Sequence, residues 1–221
     1  LNFLLLFKDE LRGFYKSKVM IFLWLGLPLM TIVLHLWSPD TGEDIPFTAL
    51  SAIVVSSLGG TLAAVMLTVS IINEKTRHVY DLFLIRPLKR WHLIISKFLA
   101  VYTCIGIASF LALILGLVID YLSMGVPPQT VLSDTIQSLA SSLSLMAISS
   151  SAGLLIGVAT SSILVGVILV IYGANQISAI ATLLPNMLEI SNPIGFTIIL
   201  GSMISCFFLV VAIFLFTRKE F

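Results

Sequence analysis

The sequence predicts an all-α membrane protein of six transmembrane helices, with an amphipathic interfacial helix at its N-terminus and a short cytoplasmic helix between spans two and three. Three observations lead there. First, only 10% of the 221 residues are charged and 58% are hydrophobic, with a mean hydropathy of +1.11; a water-soluble domain carries about 25% charged residues. So few charges cannot cover a surface facing water, and lipid must be the solvent for most of the chain. Second, the apolar residues gather into six runs, near 19–37, 48–72, 98–119, 136–159, 163–184 and 194–216, each close to the ~20 residues a spanning helix needs. Third, six spans place all twelve Lys and Arg on one side, which the positive-inside rule assigns to the cytoplasm.

Residues 1–18 open the chain, a single transmembrane domain over 1–221. Phe3, Phe7, Leu11 and Phe14 recur at helical spacing, while Lys8, Asp9, Arg12 and Lys16 take the other face. That pattern predicts an amphipathic helix lying in the cytoplasmic interface. The first apolar run follows Lys16 and Lys18 as a signal peptide would, then continues into Trp37-Ser38-Pro39 without a small-x-small cleavage site. It is therefore expected to stay as span one.

The cations then fall into clusters. Lys8, Arg12, Lys16 and Lys18 precede span one; Lys75, Arg77, Arg86, Lys89, Arg90 and Lys97 lie between spans two and three; Arg218 and Lys219 follow span six. The stretches 38–47, 120–135 and 185–193 have no Lys or Arg, yet hold Asp40, Glu43, Asp44, Asp120, Asp134 and Glu189. Removing one span breaks this agreement, which supports the fourth run despite its many serines. Both termini are then cytoplasmic. Thr160-Ser161-Ser162 is all that separates spans four and five, so those two form a tight hairpin.

Small residues recur every four positions in two spans: Ser149, Gly153, Gly157 and Ser161 in the fourth, and Ser56, Gly60 and Ala64 in the second. In lipid, where packing drives helix association, such stripes let backbones approach. Packing inside one protomer is favoured over a dimer seam. Cys104 and Cys206 both fall in apolar runs and are expected to be buried, inert thiols with no disulfide framework.

The longest polar interruption is NEKTRHVYDLFLIRPLKRWHLIISK, from Asn73 to Lys97. Asn73 can cap a helix with Glu74 in its first turn. Glu74 and His78, and Arg77 and Asp81, stand at i,i+4 and can pair, opposite Val79, Leu82 and Phe83. Arg86 precedes Pro87 and so should end that helix, and Pro87 can open the next one. Trp91 belongs at headgroup level before span three.

Here the chain resembles the membrane subunits of type-2 ABC exporters. In that family a cytoplasmic helix between spans two and three begins with an acidic and a basic residue. It runs through a leucine-rich stretch to a Pro-hydrophobic-x-Arg turn, and a Lys opens span three. This sequence offers Glu74-Lys75, Leu82-Phe83-Leu84, Pro87-Leu88-Lys89-Arg90 and Lys97 in that order; His78-Val79 stands where the family has a glycine-threonine pair. The layout match covers nearly the whole chain. The resemblance implies a coupling helix docking on a separate cytoplasmic ABC ATPase, through Glu74, Arg77, Tyr80, Asp81, Leu82, Phe83, Arg86, Pro87, Leu88, Lys89 and Arg90. It also implies a second permease copy or a related permease, a place in the cell membrane among its lipids, and no nucleic-acid partner. ATP and magnesium would sit on the ATPase: this chain lacks G-x-x-x-x-G-K-[ST] and is expected to bind no cofactor or metal itself. The expected activity is export by alternating access, with no enzymatic chemistry in this chain.

Rival readings have less to stand on. A secondary transporter would carry ionisable residues at membrane depth, and the sequence reading places none in mid-span; Asp120 and His35 fall at outer span ends. Tyr172, Asn175 and Gln176 form the most polar patch inside a span and are the candidate pathway residues, although interhelical hydrogen bonds would explain them as well. Intramembrane hydrolysis lacks H-E-x-x-H and G-x-S-x-G. Two alternatives remain beside the exporter: a haem-export-type permease of cytochrome c biogenesis, and a non-transporting membrane scaffold.

Overall fold

The computed structural model describes residues 2–37, 47–77, 90–124, 129–188 and 192–218. These are almost entirely helical. In chain order they form α1 (Asn2–Tyr15), α2 (Lys18–Trp37), α3 (Phe47–Thr76), α4 (Arg90–Met124), α5 (Gln129–Ala159), α6 (Ile163–Leu169), a π-helical turn (Val170–Ala174), α7 (Asn175–Met187) and α8 (Pro193–Arg218). Six stretches are long and apolar enough to cross a membrane: Met20–Trp37, Val54–Thr76, Trp91–Ile119, Thr135–Ala159, Ile163–Pro185 and Pro193–Arg218. They match the six runs read from the sequence.

The inner ends of spans two and three differ from expectation. Asn73 does not cap a new helix; it lies inside α3, and Glu74 is in the last turns of that helix rather than the first turn of the next. No Gly or Pro interrupts the chain between Thr61 and Arg77, and the fully buried Ile71 and Ile72 hold the helical phase against the core up to that point. Likewise α4 begins at Arg90, so Lys97 lies well inside it instead of opening it.

Helices α3 and α5 form the most extensive seam of the bundle. A Cβ on Gly153 would lie 2.5 Å from Cα and O of Ala64, and one on Gly157 would lie 3.1 Å from Cα of Thr68. Gly60 faces Ser149 in the same way, at 3.1 Å. The Thr68 hydroxyl lies 2.8 Å from the Ala64 carbonyl and 2.6 Å from that of Gly153, donating between them. The two small-residue stripes thus face each other within one chain, as the sequence favoured. The contacts 60/149, 64/153 and 68/157 advance by four on both helices, so α3 and α5 run parallel.

Helix α8 extends the seam. Ser144 donates to the carbonyls of Thr197 (3.3 Å) and Ile198 (3.4 Å), and Ser205 donates to that of Ala147 (3.3 Å). These contacts also advance together, so α8 runs parallel to α5. Three parallel helices at spans two, four and six require alternation of the spans between them. Serine is accommodated in α5 because hydroxyls such as those of Ser141, Ser142 and Ser151 bond to carbonyls one turn back.

The alternation puts the described Lys and Arg residues at one end, called here the basic end. Helix α1 crosses α4 there: Leu6 and Phe14 are buried, and Phe7 and Leu11 pack against the same core. Tyr15 meets Trp24 edge-on at 5.3 Å, and the Trp24 indole N–H donates to the Cys104 carbonyl at 3.1 Å. That bond joins α2 to α4. Cys104 is buried as expected, but Cys206 is exposed. Its neighbour Ser205 faces α5, and one step along the helix turns Cys206 outward among Met203, Phe207 and Val210, all exposed.

Candidate functional site

Lys97 is the residue around which the basic end is organised. It is 1% exposed, and a buried ammonium is tolerated only when its charge and all its protons are met. Nζ lies 2.9 Å and 3.0 Å from Oε1 and Oε2 of Glu10, and 2.5 Å from Oε1 of Glu74. The hydrogen bonds among these contacts run to Glu10 Oε2 and Glu74 Oε1, and Glu10 Oε1 completes the ion pair. The Phe14 ring centroid lies 5.9 Å from Nζ, within cation–π range. Ser70 donates to the same Glu74 Oε1 at 3.2 Å. Oε2 of Glu74 is buried with no partner.

Three helices meet in this cluster: Glu10 from α1, Glu74 from α3 and Lys97 from α4. Helices α1 and α3 both pack on α4 but not on each other, so Lys97 bridges them. The gap between them is a cavity of about 440 Å³, with Glu10 and Glu74 at its wall and Gly13, Phe14, Val65 and Met66 among its lining. Burial raises the Glu10 carboxyl above the usual carboxylate range; the charge and hydrogen bond of Lys97 oppose this, while Glu74 and Asp9 push the same way as burial. Two carboxylates against one ammonium leave one negative charge in excess when both are ionised.

Lys75, beside Glu74, reaches the other way. Its Nζ donates to the Thr160 carbonyl (3.1 Å) and to Ser161 Oγ (3.4 Å). A cation on the last carbonyls of a helix is favoured by the helix dipole, and this one ties the end of α3 to the turn between α5 and α6. Glu74 and Lys97 thus tie the end of α3 to α4, and Lys75 ties it to the α5–α6 turn.

Of the residues expected to dock on a partner, Glu74 belongs to the cluster, Arg77 is exposed at the end of α3, and Arg90 begins α4. Tyr80, Asp81, Leu82, Phe83, Arg86, Pro87, Leu88 and Lys89 lie outside the described residues, as do His78 and Val79. The pairing partner found for Glu74 is Lys97. The candidate pathway residues are elsewhere: Tyr172 lies exposed in the π-turn, and Asn175 (half-buried) and Gln176 (exposed) open α7. That span packs on α3, α5 and α8, away from the ion cluster. Among the described residues no three His, Cys, Asp or Glu gather as metal ligands.

Glu10 was missed by the sequence reading, which noted Lys8, Asp9, Arg12 and Lys16 as the polar face of α1. The signal was present. Glu10 stands seven residues after Phe3, three after Phe7 and four before Phe14, so it belongs to the apolar face. An acid on a buried face calls for a buried cation, and Lys97 is the one that meets it.

No protein-family model matches the chain, and no curated protein matches it.

Proposed function

We propose that this chain is the membrane subunit of an ATP-driven transporter of the type-2 exporter class, moving a substrate across the cell membrane by alternating access. The observation that carries this reading is the Glu74–Lys97 pair, which ties the end of α3 to α4 at the end where the cations gather. That end is the cytoplasmic one by the positive-inside rule, with both termini on the same side.

In this reading residues 78–89 dock on a separate ATPase, which holds the ATP and magnesium. Closure of the ATPases displaces the segment. Because Glu74 and Lys97 are paired, α3 and α4 move with it as a unit. Glu10 extends the movement to α1, and Lys75 passes it to the α5–α6 turn and so to the parallel seam of α3, α5 and α8. A second permease copy, or a related permease, supplies the other half of the pathway.

The test is co-purification in mild detergent with an ATPase encoded beside this chain. The expected result is a complex in which the permease stimulates ATP hydrolysis, with stimulation reduced by Glu74→Gln and by Arg86→Ala. A complex without stimulation, insensitive to both changes, would refute the coupling role; a chain that captures no ATPase would favour a membrane scaffold.

A further inference from the structure

Helix α1 crosses α4 instead of following it. The Phe3 ring lies against His92, with 5.7 Å between centroids, while Glu10 and Phe14 both meet Lys97. From Phe3 to Phe14, about 16 Å of helix, α1 therefore advances only from His92 to Lys97, about 7.5 Å of α4. With α4 crossing the membrane, α1 lies nearer to the membrane plane than to its normal, at the basic end.

One face of α1 packs on the bundle through Leu6 and Phe14, both buried. The opposite face is open and carries two strips. Lys8, Arg12 and Lys16 are exposed and recur every four residues, so at about 100° per residue they form one row. The Lys16 N–H donates to the Arg12 carbonyl at 3.3 Å, which carries the row one step past the end of α1. Among the described residues no carboxylate pairs with these three cations, and Asp9 is the one exposed acid of α1. Beside the row runs an apolar strip, with Leu4 72% and Tyr15 57% exposed. Tyr15 meets Trp24 edge-on, so the strip leads onto α2, where Ile21 and Leu25 are exposed beside Trp24.

We propose that the open face of α1 binds anionic phospholipid, with Lys8, Arg12 and Lys16 donating to headgroup phosphate oxygens and Leu4 and Tyr15 seated among the acyl chains. A row of cations at a bilayer surface draws in anionic lipid, and the apolar strip sets the depth at which the row lies. A choline headgroup carries its own ammonium, which cancels the charge of its phosphate, so the row favours it little. Continuity of the strip with α2 selects lipid over an acidic protein face, which would have to enter the bilayer to cover both. This face points away from the ion cluster, needs no ATPase, and holds for a transporter and a scaffold alike.

The test is lipid selectivity in the membrane. The full chain is reconstituted in phosphatidylcholine vesicles with a trace of spin-labelled phosphatidylglycerol or phosphatidylcholine, and electron spin resonance measures the fraction of each label immobilised on the protein. The expected result is a several-fold preference for the glycerol lipid. It should shrink as salt rises from ~0.1 to ~1 M, where the screening length falls from ~10 to ~3 Å. Lys8→Gln, Arg12→Gln and Lys16→Gln together should remove most of the preference, and Asp9→Asn should increase it. All four positions are exposed, so the packed face is untouched. Arg77→Gln with Arg218→Gln, which removes exposed cations of the same end that lie off α1, should leave the preference in place. Equal immobilisation of the two lipids by the unaltered chain would overturn the proposal. So would a triple variant that keeps its preference, which would give the face to a protein partner, or a loss as large from the Arg77 and Arg218 changes as from the three on α1.

Discussion

Replacing Lys97 with methionine keeps the length and apolar stem of the side chain and removes its charge. The site is 1% exposed, and without the ammonium Glu10 and Glu74 are left facing each other. Breaking a buried ion pair by deleting one partner costs about 3–5 kcal/mol. Proton uptake sets a limit within that range. At pH 7, protonating a carboxyl of ordinary pKa ~4.3 costs about 3.7 kcal/mol, at ~1.36 kcal/mol per unit. The acid so formed can donate to the remaining carboxylate, which needs no further relief. The expected loss at pH 7 is therefore about 3–4 kcal/mol. It should shrink by about 1.4 kcal/mol for each unit the pH is lowered, so that near pH 5 the variant lies within about 1 kcal/mol of the unaltered chain. Unfolding in mixed micelles of dodecylmaltoside and SDS, followed by circular dichroism between pH 5 and pH 7, measures both quantities. Adding Glu10→Gln and Glu74→Gln to Lys97→Met makes the cluster neutral and should recover most of the deficit. A loss under about 1 kcal/mol at pH 7, or one unchanged at pH 5, would refute the claim that Lys97 is a desolvated bridge.

Glu10 gives a second pH effect. Its carboxyl is raised by burial, and a group whose folded pKa exceeds its unfolded one favours folding below the unfolded value and loses that contribution as pH rises through the folded one. The stability of the unaltered chain should therefore decline across the interval just above the ordinary glutamate range. Unfolding midpoints of Glu10→Gln should lack that decline. At the α3–α5 seam, Gly153→Ala brings a Cβ within 2.5 Å of Ala64 backbone atoms and should cost about 1–3 kcal/mol by overpacking. Gly13→Ala meets open space and should stabilise α1 by up to ~1 kcal/mol through helix propensity, so the same micelle assay should move in opposite directions for the two changes. For topology, single cysteines placed at Ser38 and Ser161 after replacing Cys104 and Cys206 should react with an impermeant maleimide from opposite sides of sealed vesicles. Labelling from the same side would contradict six spans.

The sequence by itself determined the helical class and the six apolar runs. Ten per cent charge in 221 residues points to lipid as the solvent, and the six runs return as six helices long and apolar enough to cross a membrane; the one-sided cations are the argument for their orientation. The small-residue stripes were legible too, since their four-residue spacing is a property of the helix and not of its neighbour. What only the tertiary structure decided was the pairing. That Gly153 lies on Ala64, and Ser144 on Thr197, depends on register between helices, about which spacing within one helix is silent.

The ion cluster marks the division most sharply. Glu74 was read as the start of a cytoplasmic helix paired with His78, because i,i+4 neighbours are the partners a linear reading can see. Lys97 is 23 residues on in sequence, and Glu10 is 87 residues from Lys97. They meet because α1 and α3 both pack on α4, and once Lys97 is buried there the cost of its desolvation selects the two carboxylates that can reach it. The apolar pattern of α1 already carried Glu10 on its buried face. The identity of its partner required the fold.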